Sequence, residues 1–435
     1  MSEASASPGS GSIWSLVTGA RAHERPALAL AFVYFFCVLA SYYMLRPLRD
    51  QFSAAVGSTN LWQFWTGTFV ATLALAPLFG WLVARFPRER FVPAVYGFFI
   101  LCLLAFVPAF RAQAQIGPRL LGIVFYIWVS VFNLFVVSVF WSYLADIFDS
   151  HQAKRLFPVI ALGGTAGAIA GPIIARALPI ESLLIGAAGM LLLVLACVFR
   201  LSHWARKHPN PARLRELEQG AVIGGDILAG IRQTLSSPFL RKMAALMLLG
   251  DAIGTVAYAL VADYAGSHYP TAEARKTFYA QIDLVTNVLV VLMQASVTRW
   301  LLARFGAGVG LLVPAMMNML VLLAAALIGQ PALIATLVIT RAGAYGMFKP
   351  ASDSLYTRVS RETRYKSKNV IDTAVWRFGD VVSSGSMAIL TPLGFGMASF
   401  ALLCAVAAAL SGWFGWRAAR SPELAPEHDH PENDG

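Results

Sequence analysis

The sequence predicts an all-helical membrane protein with about twelve transmembrane helices arranged as two bundles of about six. Three observations lead there. Hydrophobic residues make up 57% of the 435 and charged residues only 13%, with a mean hydropathy of +0.63. A soluble globular chain carries about 25% charged residues. Runs of about 20 apolar residues, the length that crosses hydrocarbon, recur along nearly the whole chain. The longest polar interruption, LSHWARKHPNPARLRELEQG at 201–220, falls near the middle and separates two similar halves.

The apolar segments centre near residues 37, 72, 101, 130, 168, 189, 250, 288, 316, 341, 380 and 405. Ahead of them, residues 1–25 are Ser/Gly-rich, with Glu3 and Glu24 and no basic leader, so neither a signal nor a transit peptide is expected and the stretch reads as disordered. Residues 26–200 form the first bundle and 239–418 the second. Between them, 201–238 is a cytoplasmic linker: Pro209 and Pro211 break helix, and GGDILAGIRQTL is an amphipathic piece for the membrane surface. Residues 419–435, ending ELAPEHDHPENDG, read as a disordered acidic tail.

Cys37, Cys102, Cys197 and Cys404 all fall within apolar segments and read as small buried hydrophobes, not as disulfides or metal ligands. The net charge of +11 could suggest nucleic acid, but its placement argues otherwise. With the N-terminus in the cytoplasm, most of the 34 lysines and arginines fall on cytoplasmic loops, as the positive-inside rule requires, and the C-terminus is cytoplasmic too. No nucleic-acid partner is expected.

The halves correspond in detail. Segment 4 ends in FWSYLADIFDSHQAKRLFPVI and segment 10 in MFKPASDSLYTRVSRETRYKSKNVI; in both, a basic loop comes next and a helix restarts at Val-Ile. Both restarted helices carry small residues at helical spacing, Gly163, Gly167 and Gly171 in one and Gly379 and Ser383 in the other. Such spacing lets helix backbones approach closely. A phosphate-cradling loop needs GxxxxGK[ST] after a strand, and no Gly-Lys pair exists here, so neither ATP hydrolysis nor enzymatic activity is expected.

Ionisable groups inside membrane segments are costly and mark function by default. Here segment 1 offers Arg46, Arg49 and Asp50, segment 7 Asp251 and Asp263, segment 8 Asp283, segment 10 Arg341 and Lys349, and segment 11 Asp372, Arg377 and Asp380. Arg341, Tyr345 and Lys349, spaced i, i+4 and i+8, would share one α-helical face. Guanidinium groups bind phosphate oxygens bidentately, an ammonium adds a point charge and a tyrosine stacks on a base, so the set suits a polyanion. The blander readings are an outer-interface cap for Arg46 and Arg49, paired with Asp50, and a structural ion pair for Arg341 with an embedded aspartate. Asp251 could take a proton, hold a cation or pair with Arg341; Arg377 and Asp380, three apart, pair most simply with each other. Asp146, Asp149 and His151 approach metal-ligand spacing but sit at a helix boundary without further partners, so no metal or cofactor is expected.

About six segments on each side of a long basic linker is the layout of the major facilitator superfamily, in which two bundles rock about a midplane site. More specifically, the chain resembles the ATP/ADP translocases (NTP/NDP exchange transporters) of bacteria and plastids. The resemblance lies in Leu45, Arg46, Arg49 and Asp50; in Phe140, Trp141, Ala153, Lys154, Arg155 and Phe157; in Arg341, Tyr345, Phe348, Pro350 and Tyr356; and in Arg364, Lys366, Lys368, Ile371, Asp372, Arg377 and Gly379. It implies a nucleotide substrate such as ATP or ADP, exchanged by alternating access across a bacterial cytoplasmic membrane by a monomer. It also implies transport roles for Arg49, for a lysine of the block that holds Lys366 and Lys368, and for acidic positions on segment 4 and beside Asp263. Segment 4 departs from the pattern, with Ser130 and Asn133 where the family carries an acid, and Lys349 stands where an acid is usual. Both departures predict a more positive cavity. The alternatives are a facilitator of another organic anion or drug, proton-coupled through Asp251 or Asp283, and a non-transporting membrane scaffold.

Overall fold

The computed structural model describes residues 20–86, 88–208, 227–359, 367–368 and 370–424, all helix, turn or loop with no strand among them. The long helices are α1 (Arg25–Val56), α2 (Leu61–Arg85), α3 (Arg88–Arg111), α4 (Pro118–Ile147), α5 (Ser150–Ala177) and α6 (Ile180–Lys207). After the amphipathic α7 (Ile227–Ser236) come α8 (Pro238–His268), α9 (Ala272–Met293), α10 (Arg299–Ile328), α11 (Leu333–Gly343), α12 (Lys349–Tyr356), α13 (Trp376–Leu390) and α14 (Met397–Ala419). Nine helical stretches among the described residues are long and apolar enough to cross a membrane. One of them, Ala272–Ile328, runs for 57 residues. At 1.5 Å per residue it would measure about 85 Å if straight, nearly three hydrocarbon thicknesses. Gly306 breaks it with φ 75°, a value open to glycine and costly for side-chain-bearing residues, and so turns one run into the two segments expected there. Most of the linker (209–226), the N-terminal 1–19, the tail 425–435 and Lys366 lie outside the described residues.

The chain divides into two compact units, Met1–Arg49 with Ala74–Val222, and Asp50–Leu73 with Ile223–Gly435. The division falls inside α1 and α2, so residues 50–73, expected in the first bundle, cluster with the second.

In the first unit the glycine stripe of α5 seats it on α1. A Cβ added at Gly163, Gly167 or Gly171 would lie closer than 3.0 Å to the backbone or Cβ of Phe32, Phe36, Ala40 or Tyr43. The start of α1 is held by Glu24, which is fully buried and accepts hydrogen bonds from Gln152 (3.0 Å) and Arg155 (3.0 Å) of α5. Residues 20–25, expected to be disordered, are therefore ordered: a buried carboxylate with that many donors fixes its own backbone. Asp149, one of the three residues at metal-like spacing, instead caps α5, accepting from Gln152 N at 2.7 Å while Gln152 accepts from Asp149 N.

In the second unit α14 packs on α8 and α10 around Phe239, Met243, Leu246, Leu311 and Leu355. The tail is ordered to Leu424, further than its composition suggests, because Glu423 accepts from Phe239 N (3.0 Å) and from the hydroxyl of Ser237 (2.5 Å) at the start of α8. Ser237 in turn accepts from Leu240 N. Glu423→Ala removes one of these caps and should cost about 1 kcal/mol; a small drop in melting temperature with unchanged transport checks it.

Candidate functional site

The first unit carries two of the expected arginines on one helical face. Arg46 is buried and lies over the Tyr43 ring, 5.6 Å from its centroid; Arg49 lies over Tyr126 of α4 at 4.8 Å. A guanidinium over an aromatic face gains from the ring quadrupole, and its planar fork is of the kind that pairs with phosphate and carboxylate oxygens.

The second unit gathers most of its expected site charges into three clusters. In the first, Arg341 of α11 donates to Asp283 of α9 at 3.1 Å and lies 4.0 Å from Asp50, at the end of α1. The Tyr258 hydroxyl of α8 lies 3.0 Å from Asp50 Oδ1 and 2.7 Å from Ser53 Oγ. With a single hydroxyl hydrogen, donation to the carboxylate leaves it to accept from Ser53. Arg341 also sits 5.3 Å from the Tyr258 ring centroid, and Trp65 packs against that ring. Asp50 and Asp283 are 0% and 1% exposed. One guanidinium thus faces two buried carboxylates.

In the second cluster Asp380 of α13 accepts from Thr255 of α8 (2.9 Å) and from Arg377 (3.4 Å), the i, i+3 pair expected from sequence. Asp251 of α8 faces the same group, against Gly379. In the third, Lys349 contacts Asp372 (2.7 Å) and Asp353 (3.4 Å), while Lys368 contacts Asp353 (3.1 Å) and Asp372 (3.2 Å). Each lysine touches both acids. Partial burial disfavours the charge on Lys368, but the carboxylates of Asp372 and Asp353 outweigh it and hold the ammonium above the ordinary lysine range. Its contribution to stability is fully present at neutral pH and is lost only when pH rises through that raised value.

This arrangement corrects three expectations. Arg341, Tyr345 and Lys349 do not form one face, because Ala344–Phe348 is a π-turn, whose i→i+5 hydrogen bonds add a residue and rotate the helix beyond it. A second π-turn, Gln294–Thr298, supports it: Thr298 Oγ1 donates to Gly346 O (2.7 Å) and Gln294 to Tyr345 O (3.1 Å). Tyr345 itself is 45% exposed. Second, of the three roles open to Asp251, pairing with Arg341 falls away, because the embedded aspartate that Arg341 meets is Asp283. Third, among the described residues the cations of the second unit's three clusters are matched or outnumbered by acids, so no positive excess is found in those clusters.

Asp263 also has a structural task. Its Oδ1 accepts from Ser58 N at 2.7 Å, holding the turn before α2. It borders a cavity of about 360 Å³ with Ser58, Tyr264, Gln330, Thr391 and Met397. Tyr258, Thr255 and Asp353 escape a reading of the sequence. Only Asp353 carries a local signal, the i, i+4 spacing to Lys349; the other two are uncharged and meet their partners across long stretches of chain.

No family model matches the chain. Its sequence is similar to ADP,ATP carrier protein 1 of Chlamydia pneumoniae, 21% identical over 459 aligned residues covering 87% of this chain and 88% of that protein. It is also similar to the chloroplastic ADP,ATP carrier protein 1 of Arabidopsis thaliana, 22% identical over 438 residues covering 82% and 69%. Its structure is similar to that of nucleoside transporter NupG, with TM-score 0.63 at 12% identity over 92% of this chain and 100% of that one. A bacterial homologue of the iron transporter ferroportin gives 0.63 at 14% identity over 91% and 99%, and the E. coli fucose:proton symporter FucP 0.54 at 17% over 92% and 100%. The chain therefore shares its fold with these solved transporters, has nine helical stretches among the described residues long and apolar enough to cross a membrane, and bears a weak but consistent sequence similarity to ADP,ATP carriers of bacteria and plastids.

Proposed function

We propose that this protein moves a nucleotide, or a closely related phosphorylated anion, across the cytoplasmic membrane of a bacterium. It would act as a monomer of about twelve spanning helices, by alternating access, with both termini in the cytoplasm. The observation that carries the reading is the similarity to proteins named as ADP,ATP carriers over more than four-fifths of the chain. It is supported in α1 by Arg46 and Arg49, each set on a tyrosine face. In this reading those two arginines take the phosphate oxygens. Arg341 would act only after giving up Asp283, and Lys349 and Lys368 only after leaving Asp353 and Asp372. Exchange of NTP for NDP is the mode that the resemblance favours.

Thermal stabilisation of the purified protein by ATP, ADP, inorganic phosphate and adenosine tests the reading. A ligand at about 100 times its dissociation constant adds about 2.7 kcal/mol to the folded state. Stabilisation by ATP and ADP, lost in Arg49→Gln, is the expected outcome. Equal silence of nucleotides and adenosine would remove the substrate assignment. The second reading, proton-coupled transport of a different organic anion, is favoured by the excess of acids over arginine around Arg341 and Arg377.

A further inference from the structure

We propose that Asp251 and Asp380 form a proton-binding site inside the second unit. The coupling of that proton to anion movement rests on the reading above; the site itself does not.

Asp251 lies near the middle of α8, within a membrane-spanning stretch. Its Oδ2 is enclosed and has no hydrogen-bond partner among the described residues. Gly379 of α13 is what leaves room for it, since a Cβ there would fall inside 3.0 Å of that oxygen. The neighbouring carboxylate is differently served: Asp380 accepts from Thr255 Oγ1 at 2.9 Å and from Arg377 at 3.4 Å. Two carboxylates and one guanidinium leave one negative charge over, and the donors are all on Asp380. A buried carboxylate oxygen with no hydrogen-bond donor is strongly disfavoured, and the nearby Arg377 is shared with Asp380, to which it donates. A proton on Asp251 removes the surplus charge without moving any atom.

A metal ion fits less well. Hard divalent cations collect about six oxygen ligands, whereas this site offers two carboxylates, one of them already bonded to Thr255 and Arg377, and a single hydroxyl. Asp380 and Arg377 are the charged groups that act on Asp251. Other ionisable side chains on elements packed against α8 include Arg341 and Asp283, bonded to each other, and Asp372, engaged by Lys349 and Lys368. Cys404 and Arg417 on α14, Glu273, Arg275, Lys276 and Tyr279 on α9 and Arg232 on α7 complete that set among the described residues.

The test compares melting temperatures of purified wild type, Asp251→Asn and Asp380→Asn across pH, without substrate. If the native state holds a proton that the unfolded chain has released, stability falls as pH rises. The wild type should therefore lose several degrees relative to Asp251→Asn between about pH 5 and about pH 8. Parallel curves overturn the proposal. Replacing choline by sodium at constant ionic strength should change nothing; stabilisation of wild type alone by sodium would make the site a metal-cation site and overturn the proton assignment. If Asp251→Asn does not fold, a hydrophobic carbodiimide on wild type decides, because it adds to protonated carboxyls. An adduct on the Asp251 peptide that fades with rising pH supports the site, and no adduct at any pH overturns it. No nucleotide enters any of these measurements, so the substrate reading can fail while this one stands, and the reverse.

Discussion

Arg341→Gln should lower stability by about 3–5 kcal/mol, the loss seen when one partner of a buried ion pair is removed. The substitution leaves Asp50 and Asp283, 0% and 1% exposed, without the guanidinium that lies 4.0 and 3.1 Å from them. Coulomb attraction at such a separation is worth about 4 kcal/mol at an effective dielectric near 20, and the survivors then repel each other. Arg341→Gln/Asp283→Asn should recover part of the loss, since the nearer orphaned charge and its repulsion of Asp50 go, while Asp50 keeps the Tyr258 hydroxyl. Melting temperature reads the first effect and substrate-induced stabilisation the second. Recovery of stability with substrate response still absent would give Arg341 a binding role beyond its structural one. Recovery of both would make it structural alone.

Gly167→Leu should be more damaging still, with little folded protein recovered. The position of its Cβ would meet Phe36 O and Ala40 N, which are backbone atoms of α1 and cannot turn aside as a flexible side chain would. Separating α5 from α1 opens the contact along the whole stripe, since Gly163 and Gly171 bear on the same helix. Overpacking of this kind exceeds about 3 kcal/mol when the neighbour is rigid. Gly189→Leu on α6 is the control: apart from its own chain neighbours and helix backbone, no described atom lies within 4 Å of a Cβ built there, so yield and melting temperature should stay near wild type. Gel filtration of the two variants side by side decides the matter.

Much of the fold is legible in the sequence because hydrocarbon imposes a length on every crossing, and a helix that satisfies its own backbone is the only way for an isolated segment to meet it. The glycine stripe of α5 is readable for a similar reason, since spacing alone puts Gly163, Gly167 and Gly171 on one face. The pairing of charges is not. Arg377 with Asp380 and Lys349 with Asp353 are local, and their spacing announces them. Asp50 reaches Tyr258 and Arg341 across 208 residues and more, and nothing near it in sequence points there. Glu24 and Glu423 look like solubilising charges on loose ends, but each satisfies donors at a helix start, a role that depends on which donors come within reach. The π-turn at Ala344–Phe348 stays hidden because residue spacing is read at an α-helical period that the chain does not keep.

That wide turn gives the helix a second winding. Between the same two ends, Leu333–Tyr356 holds one residue more than an α-helix would use, and Thr298 and Gln294 meet the carbonyls that the wider turn displaces. Taking that residue up into a regular turn would swing the lower half about its own axis by about 100°, one residue's share of a 3.6-residue turn. Lys349 would leave Asp372 while Arg341 kept Asp283. The upper half would stay anchored as the lower half changed its bearing, so the helix can act as a screw as well as a lever.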